Sequence, residues 1–212
     1  MRPHIVELLD AGGATDAEVS RNLADLRRYN RWLGGRGVLV RLLAGEGIER
    51  FSLLDVGSAS GDLAEAVARR FPGSRVTLCD RKALHLPGRG VAASAEALPF
   101  PSRSYDFVAA SLLLHHFRDP EAVAALREFG RVARRAVLIN DLERHWFPLL
   151  FARASTPVFA RSALTRHDAP ASVRQAFRPE ELGRLAREAG FAAVQVQRHR
   201  PWFRLSLVAR HA

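Results

Sequence analysis

Short apolar runs alternate with helical segments between residues 51 and 140, and this alternation constrains the fold more than any other feature of the chain. Five of the runs predict buried strands, at residues 51–56, 75–80, 90–93, 105–111 and 136–140. Strands that alternate with helices at this spacing form βαβ units and a parallel sheet covered on both faces. The sequence therefore predicts an α/β fold with a Rossmann-like, doubly wound, mostly parallel sheet of seven strands.

The segments outside this core predict a single domain with a helical lead and a helical insertion. The 212 residues of the chain are the length of one α/β domain. Residues 1–46 have helical patterns and precede the core, which spans residues 47–140. Residues 141–178 are rich in aromatic residues and proline, and they predict a helical insertion over one end of the sheet. In residues 179–212 a helix precedes two closing strands.

The chain carries a formal net charge of +10, and all its basic residues except Lys82 are arginine. A basic surface can attract nucleic acid, anionic lipid or an acidic substrate. The arginines are spread along the whole chain rather than clustered, which favours composition bias and solvated helix faces. Both interpretations stay open on the sequence alone.

The single cysteine, Cys79, excludes an internal disulfide and a cysteine-rich metal site. The scattered histidines and aspartates lack the spacing of metal ligands, so we expect no metal. No window reaches the ~18–20 apolar residues of a membrane span, and the N-terminus lacks the apolar core of a signal peptide. We therefore expect a cytoplasmic protein without a membrane span.

The stretch 54–63 joins the first strand to the first helix of the predicted sheet. Gly57 permits a tight turn, and the helix that starts near Gly61 presents free N–H groups and the positive end of its dipole. That end can hold a carboxylate, while Asp55 can meet an ammonium group. Asp80 ends the next strand, where an acidic side chain can bind the hydroxyls of a ribose. The combination indicates a cofactor with an adenosine end.

The run 55–61 resembles the first motif of class I S-adenosylmethionine (SAM) methyltransferases, in which alternating glycines follow an acidic residue. Ala59 stands in place of the middle glycine. Residues 95–100, 105–108 and 114–117 resemble the ubiquinone/menaquinone-type, small-molecule branch of that family. Dinucleotide binding is the main alternative for such a fold, but the spacing of Gly57 and Gly61 does not fit G-x-G-x-x-G.

The resemblance implies that SAM is the cofactor and that S-adenosylhomocysteine (SAH) is the product. It places Ser94 and Ala95 beside the adenine, with Ser94 where many relatives have aspartate. It also places Ser111 and Leu112 in the wall of the cofactor cleft. We expect the cofactor to contact Asp55, Gly57, Ser58, Ala59, Gly61, Asp80, Arg81, Ser94, Ala95, Glu96, Ser111 and Leu112.

Three histidines near the expected cleft are candidates for catalysis. A hydroxyl acceptor benefits from a general base, for which histidine is the usual side chain. His116 follows the fourth strand, His145 follows the fifth, and His167 lies in the insertion beside a carboxylate. His116 can also be a hydrogen-bonded core residue, and His167 can belong to a solvated loop. The sequence leaves open which of the three is the base.

Aromatic and polar residues on both sides of the cleft predict contacts with the methyl acceptor. Aromatic residues of the insertion either pack in the core or line an apolar pocket, which favours a small lipophilic or aromatic acceptor. Residues 140–142 and 166–173 are similar to methyltransferases of bacterial secondary metabolism. We therefore expect O-methylation first, and C-methylation next, of a secondary metabolite or quinone-like compound. The expected contacts are Tyr29, Trp32, His115, Trp146, Phe151, Arg166 and Asp168.

Two other functions stay open on the sequence alone. Nucleic-acid methylation fits the net charge, but enzymes that methylate base amino groups typically carry an Asn/Asp-Pro-Pro-Tyr/Phe loop after the fourth strand. Residues 111–115 stand there in this chain and offer no aromatic residue to stack on a flipped base. A catalytically silent SAM-binding module also fits the motif, because a fold does not determine function. We expect no nucleic-acid partner, and the oligomeric state is open.

Overall fold

Seven strands form the central sheet of the computed structural model. They are β1 (Ser52–Val56), β2 (Arg75–Asp80), β3 (Val91–Ala92), β4 (Tyr105–Ser111), β5 (Ala133–Leu142), β6 (Ala193–His199) and β7 (Arg204–Arg210). Their order across the sheet is β3-β2-β1-β4-β5-β7-β6. Neighbours from β3 to β5 are parallel, whereas β7 is antiparallel to both β5 and β6. The predicted Rossmann-like, mostly parallel, seven-stranded sheet is confirmed.

The structure describes residues 2–32, 35–59, 61–82 and 90–211, and for residues 10, 11, 31, 32, 35 and 36 it describes the backbone alone. Helices in these ranges are α1 (Leu8–Ala11), α2 (Asp16–Trp32), α3 (Gly35–Gly45), α4 (Asp62–Arg70), α5 (Asp119–Val132), α6 (Trp146–Phe159), α7 (Ala163–Gln175) and α8 (Pro179–Glu188). None of them is both long enough and apolar enough to cross a bilayer.

The alternating side chains of the buried strands divide the core into two layers. Leu54 and Val56 of β1 belong to the layer that contains residues of α5 and α8, and Leu53 belongs to the layer that contains Leu63 and Val67 of α4. All five of these side chains are buried. Both faces of the sheet are therefore covered by helices, which leaves its edges and strand ends for ligands.

The fifth strand is longer than the sequence predicts. The apolar run ends near Asn140, but backbone pairing continues to Leu142, which lies opposite Arg204 of β7. The antiparallel partner supplies hydrogen bonds that the sequence of β5 alone does not reveal. The insertion is consequently shorter than 141–178, and it consists of α6 and α7.

The segment 2–11, which we call the N-terminal strap, crosses from α7 to the end of β4. Nη1 of Arg2 donates hydrogen bonds to the carbonyl oxygens of His115, at 3.1 Å, and Gln175, at 2.6 Å. The Ile5 amide donates to Oε1 of Gln175 at 3.0 Å. These bonds join the start of the chain to residues more than 100 positions away, so the strap is part of the folded domain.

Candidate cofactor and acceptor site

A cavity of about 810 Å³ lies above the ends of the parallel strands, where ligands bind in open α/β sheets. The loops after β1, β2, β3 and β4 contribute one set of lining residues, which we call the cofactor wall. The strap, α2, α6 and α7 contribute a second set, which we call the acceptor side. The cavity is within the size range of ligand pockets in proteins, roughly 300–1,000 Å³. Most of the residues that the sequence predicts for the cofactor and several of those predicted for the acceptor line it.

The loop after β1 is held close to β2 by backbone hydrogen bonds. The amides of Gly57 and Ser58 donate to the carbonyl oxygen of Cys79 at 2.8 and 3.1 Å. Gly57 has a φ of +69°, and an added Cβ would lie 3.0 Å from Leu113. Gly61, with a φ of +75°, is the N-cap of α4. The backbone conformation therefore favours glycine at position 57, and any larger residue would also have to displace the Leu113 side chain.

Asp80 connects this loop to the end of β2. Its buried carboxylate accepts hydrogen bonds from the amide of Ala59, at 3.1 Å, and from the amide of Lys82, at 3.0 Å. The side chain also lines the cavity, together with Arg81. The acidic residue predicted to bind a ribose thus also fixes the glycine turn. Its carboxylate joins the loop after β1 to the loop after β2.

Asp55 is a buried carboxyl group whose Oδ2 atom has no hydrogen-bond partner among the residues that the structure describes. Burial is the largest cause that raises its pKa, to about 8, and the negative charges of Asp80 and Asp62 raise it further. Asp55 lines the cavity. An ammonium group placed beside it would supply the missing donor and favour the ionised carboxylate, which fits the amino-acid end of SAM.

The loops after β3 and β4 complete the cofactor wall. Ser94, Ala95 and Glu96 line the cavity next to the end of β3, and the Glu96 amide lies 3.4 Å from Oγ of Ser94. At the end of β4, Ser111 and Leu112 also line it. Of the residues expected to contact the cofactor, only Gly61 is absent from the lining, because it turns the backbone into α4.

His115 and Asp141 form a buried pair at the ends of β4 and β5. The His115 Nδ1 atom lies 2.6 Å from Oδ1 of Asp141, and the His115 amide donates to Oδ2 at 3.2 Å. Burial alone would raise the pKa of Asp141, but the charge and hydrogen bond of His115, the Leu142 amide and the charge of His116 together lower it below its usual value. Asp141 is therefore ionised and orients the imidazole.

The other nitrogen of His115 faces a carboxylate from the strap. Its Nε2 atom lies 3.7 Å from Oε1 of Glu7, and Nδ1 of His116 lies 3.8 Å from Oε2. Glu7 accepts hydrogen bonds from Ser172, at 2.5 Å, and Gln175, at 2.8 Å. Ligand atoms of Glu7, His115 and His116 lie within 4.8 Å of one another. Our expectation that the protein has no metal stays a prediction.

Two of the three histidines proposed as the base lie outside the cavity lining. His145 is the N-cap of α6: its Nδ1 atom accepts a hydrogen bond from the Phe147 amide, and its ring lies 4.9 Å from that of Phe203. His167 is exposed, and its Nδ1 atom lies 2.9 Å from Oδ1 of Asp168. His145 is thus absent from the cavity lining, whereas His116 is part of it, and the catalytic roles of the three histidines stay predictions.

Four of the residues expected to contact the acceptor line the cavity. Tyr29, His115, Phe151 and Asp168 line the cavity. Asp168 accepts hydrogen bonds from the strap amides of Leu8 and Leu9 at 2.8 and 3.1 Å, so its carboxylate holds the strap.

Two of the remaining expected acceptor contacts, Trp146 and Arg166, are absent from the cavity lining. Trp146 is 67% exposed and lies outside the lining. Arg166 also lies outside it, and its Nε atom donates to the carbonyl oxygen of Ala160 at 3.2 Å. The side chain of Trp32 is outside the described residues.

The sequence did not predict three charged residues of the site. Asp141 contacts His115, and Glu7 and Arg204 line the cavity. Asp141 directly follows the predicted fifth strand, and this position could have identified it as a partner for a histidine after β4. Glu7 and Arg204 are brought to the cavity by the strap and by β7. No local pattern in the sequence indicates either contact.

The sheet, the glycine turn and the acid at the end of β2 define a Rossmann-like protein with a nucleoside cofactor site. A family model described as a methyltransferase domain matches residues 54–139. A demethylmenaquinone methyltransferase of Roseiflexus castenholzii is 31% identical over 163 residues, 66% of this chain and 68% of the relative. A ubiquinone/menaquinone biosynthesis C-methyltransferase of Paracoccus denitrificans is 28% identical over 167 residues, 68% of this chain and 67% of the relative.

The chain belongs to the class I SAM-dependent methyltransferase family, in its ubiquinone/menaquinone-type branch. Human N-acetylserotonin methyltransferase, solved in complex with SAM, shares the fold with a TM-score of 0.67 at 16% identity. The match covers 93% of this chain and 57% of the human one. The chain thus spans about two thirds of the length of the two bacterial relatives and little more than half of the human enzyme. The cofactor of the family is SAM.

Proposed function

We propose that this protein transfers the methyl group of SAM to a hydroxyl of a small, lipophilic aromatic acceptor, with His115 as the general base. The observation that carries this proposal is the buried His115–Asp141 pair, whose histidine lines the same cavity as the cofactor wall. A base must lie within reach of the proton that it removes and must be oriented by a third group. His115 satisfies the second condition through Asp141.

The proposed mechanism needs one proton transfer by the protein. When bound, SAM supplies an electrophilic methyl group and leaves as SAH. In the neutral imidazole with its proton on Nδ1, beside Oδ1 of Asp141, Nε2 has a lone pair that faces the cavity side. Nε2 accepts the proton of the acceptor hydroxyl while the acceptor oxygen forms its bond to the methyl carbon, and the electron pair of the broken carbon–sulfur bond stays on sulfur. Placement of the two reactants in one cavity provides much of the rate.

The surroundings of His115 favour this proton transfer. Oδ1 of Asp141 lies 2.6 Å from Nδ1, and Oε1 of Glu7 lies 3.7 Å from Nε2. An imidazolium formed during the reaction would lie between two carboxylates, which stabilise its positive charge. The rest of the acceptor side is apolar, with Leu23, Leu26, Phe147 and Phe151 in the lining, and this supports a lipophilic aromatic ring as the occupant.

C-methylation of a quinone precursor is the second candidate. The bacterial relatives support it, because one of them is called a ubiquinone/menaquinone biosynthesis C-methyltransferase. A base beside the acceptor also serves this reaction, since a phenolate activates the ring carbons next to its oxygen. The two candidates differ in the atom that receives the methyl group.

Methyl transfer from [methyl-¹³C]SAM to a panel of phenols, hydroquinones and bulk RNA tests the proposal. We expect labelled product from lipophilic phenols or hydroquinones, with the carbon-13 chemical shift of an O-methyl group. Label attached to a ring carbon would support the second candidate instead. Label in RNA alone, or no transfer while SAM is bound, would contradict both candidates.

A further inference from the structure

Arg204, the first residue of β7, is a buried cation whose hydrogen bonds are largely unmade. Arg204 is one of the residues that line the cavity, and it is only 2% exposed. Nη2 donates to Oδ1 of Asn30 at 3.2 Å, whereas Nε and Nη1 have no partner in the described part of the chain. Burial lowers the pKa of Arg204 to about 10, and the charge of Asp141 opposes this shift. The guanidinium therefore remains charged at neutral pH.

Burying a guanidinium with unpaired N–H groups costs free energy of folding. Such a group in a native protein therefore indicates a missing partner. The same cavity contains a second buried polar group of this kind, because in the described ranges Oδ2 of Asp55 also lacks a partner. The ammonium group of the cofactor would supply the donor that Oδ2 of Asp55 lacks. An anion in the cavity would account for Arg204 in the same way, since a planar guanidinium matches the geometry of a carboxylate.

The sheet separates Asp55 from Arg204 and places His115 between them. Along the sheet the order of strands is β1, β4, β5 and β7, so Asp55 and Arg204 lie three strand spacings apart, roughly 14 Å. His115 follows β4, and Asp141 lies on β5. An acceptor with its hydroxyl at His115 can therefore extend away from the cofactor, toward Arg204.

We propose that Arg204 binds a carboxylate carried by the methyl acceptor. This inference rests on the proposed function and narrows its substrate class to a lipophilic hydroxyaryl carboxylic acid. The hydroxyl of such an acid lies at His115, its carboxylate pairs with Nε or Nη1 of Arg204, and its apolar part contacts Phe147 and Phe151. Arg204 then acts as a specificity-determining residue without taking part in the proton transfer.

Binding of matched acids and esters, measured by calorimetry in the presence of SAH, tests this assignment. The probes are alkyl-substituted hydroxybenzoic acids and their methyl esters. We expect the unmodified protein to prefer the acids and Arg204→Met to lose at least about 30-fold in affinity for them, while the esters change little. Arg153→Met is the matched control, because Arg153 is exposed on α6, lies outside the cavity lining and should retain the preference.

The SAH affinity and the melting temperature of Arg204→Met decide between the possible failures. We expect the SAH affinity to be retained, which shows that the variant is folded. The melting temperature should fall, because removing Arg204 leaves the buried charge of Asp141 without the cation that faces it. Equal binding of acids and esters, no binding of any acid, or a preference that persists in Arg204→Met would each overturn the proposal. A loss of SAH affinity would assign Arg204 to the carboxylate of the cofactor instead. If acids bind through Arg204 but no hydroxyl is methylated, the proposed function fails and the anion site stands.

Discussion

Replacing His115 with alanine is expected to lower kcat by about 10²–10⁴-fold, the range that a positioned general base contributes. The dissociation constant of SAH should stay within about threefold of the original value, because His115 is not one of the residues expected to contact the cofactor. Steady-state kinetics with a phenol acceptor and calorimetry with SAH measure the two quantities. This separation assigns the loss to the chemical step rather than to cofactor binding.

Two controls make the result specific to proton removal. His167→Ala should retain activity within about twofold, because that ring is exposed and lies outside the cavity lining. A strongly acidic acceptor such as a nitrophenol is already ionised and should restore most of the rate of His115→Ala. If His115→Ala keeps full activity with an ordinary phenol, or if the nitrophenol loses as much rate as the phenol, His115 is not the base.

The change Asp141→Asn is expected to lower kcat by about 10²-fold or more, although asparagine fills the same volume. The asparagine amide can donate to Nδ1 of His115, which moves the ring proton to Nε2 and removes the lone pair that the acceptor proton requires. Asp141 acts through His115 as a positioning residue, so the nitrophenol should restore this variant too. The measurement is kcat for both acceptors.

The double variant His115→Ala/Asp141→Asn tests the coupling between the two residues. If Asp141 acts only by orienting His115, the double variant should be no slower than His115→Ala alone. Effects that multiply would mean that Asp141 contributes separately from His115, and they would contradict the orienting role. SAH affinity, measured on the same samples, shows whether the cofactor wall is intact.

The sequence allowed most of the fold to be predicted, because its strands are buried on both faces and have local signals. The runs 105–111 and 75–80 coincide with β4 and β2. The glycine turn and Asp80 were also predictable, since a turn with positive φ at Gly57 needs a residue type that the sequence displays. These features depend on residues close together in the chain.

The acceptor side was less predictable, because its contacts join distant parts of the chain. His115 meets Asp141 because β4 and β5 pair in parallel with Ser111 opposite Asn140, and this register depends on the strand order. Glu7 reaches His115 from a position 108 residues away. The sequence left His116, His145 and His167 open as the base, and it did not reveal that a ring nitrogen of His145 serves α6 as its N-cap. His115 and His145 each follow a strand of the sheet, but the structure gives their side chains different partners.

The central claim is that the cavity binds the amino-acid end of SAM at Asp55. At pH 6.5 the free protein holds a proton on this carboxyl, because burial raises its pKa to about 8. An ammonium group beside Asp55 favours the ionised form, so binding should expel that proton. The number of protons released on binding therefore reports on this one contact.

Calorimetric titration with SAH at pH 6.5, in two buffers of different ionisation enthalpy, measures this number directly. We predict saturable binding at one site with release of about one proton. Asp55→Asn should bind more weakly and release none. An absence of saturable binding, or the same proton release from Asp55→Asn, would contradict the account.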